Sequence, residues 1–120
     1  MISVVVEPMS TSRALPCGIM RPTQVASASN AISMGNGASA SANNAIAIGA
    51  GAQATKANSL ALGAGSKTLA NLSDAAYTPV VGATTAGVAT GEVSVGSSGA
   101  ERRVTNVAAG AAATDAVNVS

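Results

Sequence analysis

The sequence lacks histidine, phenylalanine and tryptophan, and it has one cysteine, Cys17, and one aromatic residue, Tyr77. Without histidine and with a single thiol, the usual zinc sites and thiol–imidazole catalysis are excluded. Only 27 of the 120 residues are isoleucine, leucine, valine or methionine. Because these residues give too little volume for a thick core, an ordinary globular domain is not expected.

Charged residues are also scarce, since six basic and five acidic side chains give a net charge of +1. This balance leaves no basic stripe, and it therefore predicts no nucleic-acid partner. No run of about 18 apolar residues occurs, so no membrane-spanning helix is predicted. The low cysteine content does not identify a compartment, because an exported fold can be held together without disulfides.

Small residues are abundant instead, and they are arranged in a regular repeat. Alanine, glycine, serine, threonine and asparagine account for 74 of the 120 residues. Three consecutive units of equal length read NAISMGNGASASAN at 30–43, NAIAIGAGAQATKA at 44–57 and NSLALGAGSKTLAN at 58–71. Low-complexity disorder is the alternative for such a composition. Seven positions that align across all three units favour an ordered repeat.

Each unit combines two short alternating segments with a glycine turn. Bulky and small residues alternate with a period of two in the first half, which predicts a strand and not a helix. The second half alternates too, with only small residues on its inner face. The turn glycines Gly35, Gly49 and Gly63 permit a tight turn between the halves, whereas a phosphate loop would need a following helix and a Lys-Ser/Thr pair. Each unit is therefore predicted to be one coil of a solenoid.

A solenoid with 14-residue coils is too thin to be stable alone. Two strands of about five residues per coil enclose a slot filled mainly by alanine, which buries too little apolar surface to offset the loss of chain entropy. We therefore expect the bulky residues to pack against other copies of the chain around a symmetry axis, and the asparagines to stack into a side-chain ladder. The repeat residues predicted to form the core of this assembly are Ile32, Met34, Ile46, Ile48, Leu60 and Leu62.

The repeats resemble the head repeats of YadA-like trimeric autotransporter adhesins, in which an aliphatic triplet ends in glycine. Residues 92–119, EVSVGSSGAERRVTNVAAGAAATDAVNV, are similar to the neck motif of the same family. The resemblance implies an all-β fold, a trimeric left-handed parallel β-roll of 14-residue coils, followed by a neck that leads to a coiled-coil stalk. It places Val93, Val95 and the turn glycine Gly96 in the last head strand. The neck residues that it implies are Arg102, Arg103, Val104, Asn106, Val107, Asp115 and Asn118.

Two roles are expected within the neck motif. Thr114 or Asp115 is predicted to cap the amide groups of a helix that starts there. Arg102 and Arg103 are predicted to form pairs between subunits, with Asp115 and Glu101 as candidate partners. Two solvated surface charges are the alternative interpretation of the arginines.

Four segments follow from the repeat and the neck motif. They are a non-repeat N-terminal tail (1–22), the head β-roll (23–71), a head insert (72–91), and the last head strand with the neck and the start of the stalk (92–120). The insert is inferred because Val93 does not lie a whole number of 14-residue coils after Leu60. Tyr77 in the insert is a candidate ligand contact, although packing of the insert against the roll is favoured. The tail lacks the basic n-region of a secretion signal.

The resemblance implies an exported adhesin at the bacterial outer membrane and cell surface. Its expected partners are two further copies of itself and host extracellular matrix proteins or cell-surface receptors, bound through many weak contacts at once. A membrane anchor is expected only in a C-terminal domain outside this sequence. No cofactor, metal or catalysis is expected.

Two other functions conflict with the residues. A left-handed β-helix acyltransferase is also trimeric, but it needs 18-residue coils and a histidine base, and this chain offers neither. An ice-binding surface would need threonines at one position of every coil. Thr55 and Thr68 do not occupy the same position of their coils, so they do not align.

Overall fold

The computed structural model describes residues 23–75, 81–82 and 87–117, and within these ranges the chain is all-β. Two parallel sheets, of order β1-β3-β5 and β2-β4-β6-β7, contain all of the strands in this part of the chain. The strands are β1 Val25–Ala26, β2 Ile32–Met34, β3 Ser39–Ala40, β4 Ile46–Ile48, β5 Gln53–Ala54, β6 Leu60–Leu62 and β7 Val93–Ser94. Within the described residues, no helix is long and apolar enough to cross a membrane.

Strand pairing follows the period of the sequence, so each sequence unit forms one coil. Ile32 pairs with Ile46, and Ile46 pairs with Leu60. Strands β1 and β3 pair in the same register in the other sheet. Residues 23–29 therefore occupy the place of the second half of a preceding coil. The predicted coil length and the parallel arrangement are confirmed.

Strand β7 extends the second sheet after a detour of the chain. Val93 pairs with Leu60 although more than two coil lengths of sequence separate them. This position agrees with an insert at 72–91. Tyr77, for which the sequence leaves two roles open, lies outside the described residues, as does the tail 1–22.

Alanine fills the space between the two sheets. A methyl side chain lets the sheets approach closely, and a larger inward residue would force them apart. The bulky residues of each triplet consequently lie on the other face of the sheet. The buried apolar residues of the described chain are Ala38, Ala40, Ala45, Ala47, Ala52, Ala54 and Ala61.

Hydroxyl groups replace inward methyls in the last full coil, and they are hydrogen-bonded. The Thr68 hydroxyl accepts the backbone amides of Thr55 at 2.9 Å and Lys56 at 3.2 Å. The Ser66 hydroxyl donates to the carbonyl oxygen of Leu62 at 2.8 Å. Thr68 and Ser66 are both fully buried, so these bonds satisfy polar atoms that water cannot reach.

Candidate functional site

The bulky residues of the repeat point away from the alanine interior. In β4, Ala47 is buried, whereas Ile46 and Ile48 on either side of it are half-buried on the outer face. Four side chains of this face are exposed, from 41% at Leu62 to 69% at Val93, and the other four are half-buried. We call this surface the apolar column; its residues are Ile32, Met34, Ile46, Ile48, Leu60, Leu62, Val93 and Val95.

Register makes the apolar column continuous. Parallel pairing without slippage aligns Ile32 with Ile46 and Leu60 in one row, and it aligns Met34 with Ile48 in a second row. A contiguous exposed strip of aliphatic side chains on a protein surface marks an interaction site. The column is thus the strongest candidate for an assembly surface in the described chain.

The asparagines that begin each repeat form a hydrogen-bonded ladder along one edge of the roll. Nδ2 of Asn30 donates to Oδ1 of Asn44 at 3.2 Å, and Nδ2 of Asn44 donates to Oδ1 of Asn58 at 3.0 Å. All three have a φ between 55° and 58°, a left-handed conformation that asparagine tolerates better than most residues. The predicted ladder is confirmed. It ends at Gly91, which lies where the next asparagine would stand and where a Cβ would overlap the Asn58 carbonyl oxygen.

The turn glycines are required by both conformation and space. Gly35 and Gly49 each have a φ of 125°, which side-chain-bearing residues rarely adopt. A Cβ on Gly35 would lie 2.6 Å from the carbonyl carbon of Gly49, and one on Gly49 would lie 2.5 Å from that of Gly63. Stacking of the coils therefore leaves no room for a methyl group at this position. Above Gly63 the stack ends, and the guanidinium of Arg102 lies 3.3 Å from the place of its Cβ.

Arg102 closes the C-terminal end of the roll. Its guanidinium donates to the carbonyl oxygens of Ala64 at 2.6 Å and Val95 at 2.7 Å and to the hydroxyl of Ser66 at 3.2 Å. One coil earlier, the carbonyl oxygen of Ala50 accepts the amide of Gly65. The guanidinium thus takes the place of an amide that a further coil would supply to Ala64. A planar group with several N–H donors suits this role because it can satisfy several acceptors at once.

The structure does not bring the two arginines to the carboxylates that we named as candidate partners. Within residues 23–75, 81–82 and 87–117, the carboxylate of Glu101 instead accepts the amide of Gly99 at 2.9 Å. Hydrogen bonds from its own amide and from that of Gly99 lower the pKa of the Glu101 carboxyl. Arg103 is exposed. Within the chain, Arg102 is bound to neutral acceptors and is not a merely solvated charge, and the predicted pairing between subunits stays a prediction.

Asp115 closes a turn that precedes it, and it caps no helix within residues 111–117. Its Oδ2 accepts the amides of Ala111 at 2.8 Å and Ala112 at 2.9 Å. These bonds, that from Ala112 first, lower the pKa of the Asp115 carboxyl. Thr114 lies within this turn, and residues 111–117 contain no helix.

The remaining neck residues differ in their exposure. Val104 is 67% exposed, whereas Val107 is half-buried. Asn106 has a φ of 61°, so the chain turns in a left-handed conformation there. Asn118 lies outside the described residues.

Gly96 differs from the other three turn glycines. Its φ is not in the left-handed region, but a Cβ would lie 2.5 Å from the carbonyl oxygen of Ala100. Its carbonyl oxygen accepts the amide of Lys67 at 3.0 Å. Glycine is therefore required at position 96 because the backbone of Ala100 lies close to it, and not because of a positive φ.

Glu92 fastens the end of the insert to the last coil, a role that the sequence patterns did not predict. Its Oε2 accepts the amide of Ala70 at 2.7 Å, and its own amide donates to the hydroxyl of Ser59 at 2.9 Å. Its carbonyl oxygen accepts the amide of Leu60 at 2.8 Å. The sequence signal was present, because Glu92 precedes the resumed strand at a position that holds a small residue in every earlier coil.

A cleft of about 700 Å³ opens beside the apolar column, between the last coil and the start of the neck. Apolar and charged side chains both line it, including Leu69, Val93, Lys67, Glu92 and Arg102. No cluster of acidic or thiol side chains suited to a metal ion occurs in the described part of the chain. The geometry favours association with another chain through this end of the roll and the adjoining column.

Comparison with known families identifies the coils. A family model described as the YadA head domain repeat matches residues 26–52, 44–66 and 54–71. The match begins in β1, includes every complete coil and ends before the insert. No curated protein shows significant sequence similarity to the chain.

Proposed function

We propose that the chain is the head and neck of an exported bacterial surface adhesin, because residues 26–71 match the family model of the YadA head domain repeat, which is found in adhesins. Three copies would pack as left-handed parallel rolls around one axis, and the neck would lead to a coiled-coil stalk. The head would attach the cell to host extracellular matrix proteins or to cell-surface receptors. Its place would be the outer membrane, where a separate C-terminal domain would anchor it.

The exposed apolar column carries the trimer proposal. The roll interior contains mostly alanine. The four most exposed side chains of the apolar column, in contrast, are 41–69% exposed. Complete burial of one such side chain stabilises a protein by about 1.5–3 kcal/mol. Burial of the area that is still exposed on several such residues per chain would therefore stabilise an assembly beyond what the alanine interior of one roll supplies.

The contacts at the end of the roll support a role of the neck in the same assembly. Arg102 and Glu92 satisfy the last coil, so the chain can leave the roll without exposing unpaired backbone groups. Val93 and Leu69 leave an apolar wall open to solvent in the adjoining cleft. In the proposed trimer, the neck of a neighbouring copy would cover this wall.

Adhesion in this proposal depends on multivalency. A trimeric head presents three copies of each surface, and linked weak contacts raise the overall avidity without a strong single site. The regular outer faces of the coils would suit extended partners such as collagen. Such partners need a long repetitive surface, which the stacked coils supply.

Sedimentation tests the assembly. We expect the full chain, fused after Ser120 to a trimerising coiled coil, to sediment as a compact trimer with a β-rich circular dichroism spectrum. Ile48→Asp places a charge in the apolar column and should abolish packing of the heads, since burial of an unpaired charge costs several kcal/mol. Gln53→Glu adds a charge to an exposed position of β5 and should leave the trimer unchanged.

The same variants test adhesion. We expect the fused trimer to be retained on collagen-coated or cell-coated surfaces at concentrations about 100-fold lower than an Ile48→Asp chain made without the coiled coil, because avidity is lost with assembly. Without the coiled coil, a chain that stays a folded monomer with an exposed apolar column would contradict the trimer. Equal retention of both variants would contradict the multivalent mechanism.

A further inference from the structure

Asn36 differs from every other asparagine of the sequence because a glycine follows it. Its side chain is exposed and makes no hydrogen bond within the described residues. The ladder asparagines, in contrast, have their amide groups bound to one another. Nδ2 of Asn71 likewise donates to the carboxylate of Asp74 at 2.6 Å. Asn36 therefore combines a free side-chain amide with a neighbour that has no Cβ to hinder an approach to it.

We propose that Asn36 is a site of non-enzymatic deamidation. The backbone nitrogen of Gly37 loses its proton to solvent and attacks Cγ of Asn36, and the new N–C bond closes a five-membered succinimide. The side-chain nitrogen takes a proton from water and leaves as ammonia. A second water then opens either carbonyl of the ring, which gives aspartate or isoaspartate. Water is the only co-reactant, and no atom is oxidised or reduced.

The fold holds the attacking nitrogen away from this reaction. Gly37 N donates to the carbonyl oxygen of Thr23 at 2.7 Å, so its proton is engaged. Ala38 N donates to the carbonyl oxygen of Gly35 at 3.1 Å and closes the turn that contains Asn36. Attack on Cγ requires both restraints to open. Deamidation of the folded chain therefore proceeds through local opening and not from the closed turn.

Opening of strand β1 controls the rate, because β1 is the edge of its sheet. Among the described residues it pairs with β3 alone, and its bonds to that strand include Val25 N to the carbonyl oxygen of Ala38 at 2.9 Å and Ser27 N to that of Ala40 at 3.1 Å. Edge elements with few contacts open more readily than the interior of a fold. Release of β1 also releases Thr23, which frees the nitrogen of Gly37.

Isoaspartate at position 36 would disturb one coil only. The carbonyl oxygen of Asn36 accepts the amide of Gly51 at 2.8 Å, and a longer backbone path at position 36 would displace this bond. Alanine occupies the equivalent positions 50 and 64, so the same turn of the later coils has no asparagine to react. The modification therefore acts on the first coil and leaves the assembly surface of the others intact.

Peptide mapping by mass spectrometry tests the proposal on the full chain in mildly alkaline buffer. We expect a mass increase of about 1 Da, with isoaspartate, at position 36, slow in the folded chain and fastest in urea. Val25→Pro removes the backbone N–H that donates to the carbonyl oxygen of Ala38. We expect the reaction of the folded chain to become about fivefold faster, because the net contribution of one hydrogen bond no longer opposes the opening of β1. Asn36→Gln should abolish the change, because a six-membered ring closes far more slowly.

Ser27→Pro removes the hydrogen bond from Ser27 N to the carbonyl oxygen of Ala40, and it replaces Val25→Pro in the experiment if that variant does not fold. A folded-state rate that equals the rate in urea would overturn the protective role of the Thr23 bond. An unchanged rate in folded β1 variants would overturn opening of β1 as the control. Absence of a mass change at position 36 in urea would overturn the site itself.

Discussion

Three positions of the repeat accept few residue types, and the physical reason differs at each. Asparagine suits position 44 because it adopts a left-handed φ and because its side-chain amide both donates and accepts along the ladder. Glycine is needed at position 49 because the next coil lies directly above it. A small side chain is needed at position 47 because Ala47 is fully buried between the sheets, where the paired position 33 holds serine.

Substitution of neighbouring glycines separates conformation from space. Gly49→Ala places a Cβ at an unfavourable φ and against the backbone of Gly63. At position 51 the φ of 68° is also unfavourable, but a Cβ added there has no described atom within 4 Å. We expect Gly51→Ala to lower the free energy of unfolding by about 1–2 kcal/mol. Gly49→Ala should lower it by several kcal/mol, because the coils must also separate. Urea denaturation measures both, and equal losses would contradict the stacking of Gly49 under Gly63.

At the scale of the strand and sheet, the two ends of the roll differ. The C-terminal end is closed by side chains, since Arg102, Ser66 and Thr68 bond to backbone groups of the last coil. The N-terminal edge begins with β1, and its outward side has no pairing strand among the described residues. Unpaired sheet edges are where strands open and associate. The reactive turn at Asn36 therefore lies beside the end that opens more readily.

Adjacent arginines provide a matched test of the closed end. Arg102→Gln removes hydrogen bonds to three acceptors. We expect the amides of Lys67 and Thr68 to exchange with solvent at least about tenfold faster, because hydrogen bonds from a charged group that contribute ~1.5 kcal/mol or more are lost. Arg103→Gln removes an exposed charge of the same sign and should leave this exchange unchanged. Hydrogen exchange measured by mass spectrometry decides the matter. Identical protection in both variants would show that Arg102 does not close the roll.

At the scale of the whole molecule, each coil contacts only the coils next to it. Stability of such a solenoid is close to a sum of unit and interface contributions, and it depends on exact register. A one-residue slip would turn the aliphatic side chains into the alanine interior and expose the alanines. The Arg102 contacts reach only the last full coil and Val95 next to β7, so they do not depend on how many coils precede them.

Deletion of whole coils tests this independence. Removal of residues 44–57 brings Asn30 and Asn58 into adjacent coils and keeps every column aligned. We expect that chain to fold cooperatively with a lower melting temperature, because it loses one interface between coils. Removal of residues 44–56 deletes one residue fewer and should abolish cooperative unfolding, since the later strands are out of phase. Circular dichroism melting compares the two, and similar curves would contradict the dependence on register.

Much of the fold and part of the candidate site were predictable from local patterns. The length of the coil, the outward placement of Ile46 and Ile48, and the asparagine ladder all follow from residues that recur at one spacing. Long-range contacts were not predictable in this way. Arg102 reaches acceptors 36 and 38 residues earlier in the chain, and Glu92 reaches back 22 residues, across an insert that breaks the period.

The sequence by itself determined the coil and the two faces of its strands, because alternation and spacing act over a few residues and need no knowledge of distant ones. Only the tertiary structure decided how the roll ends. Which carbonyl oxygen is left unpaired there depends on where the chain returns after the insert, and only then does a guanidinium or a carboxylate find its partner.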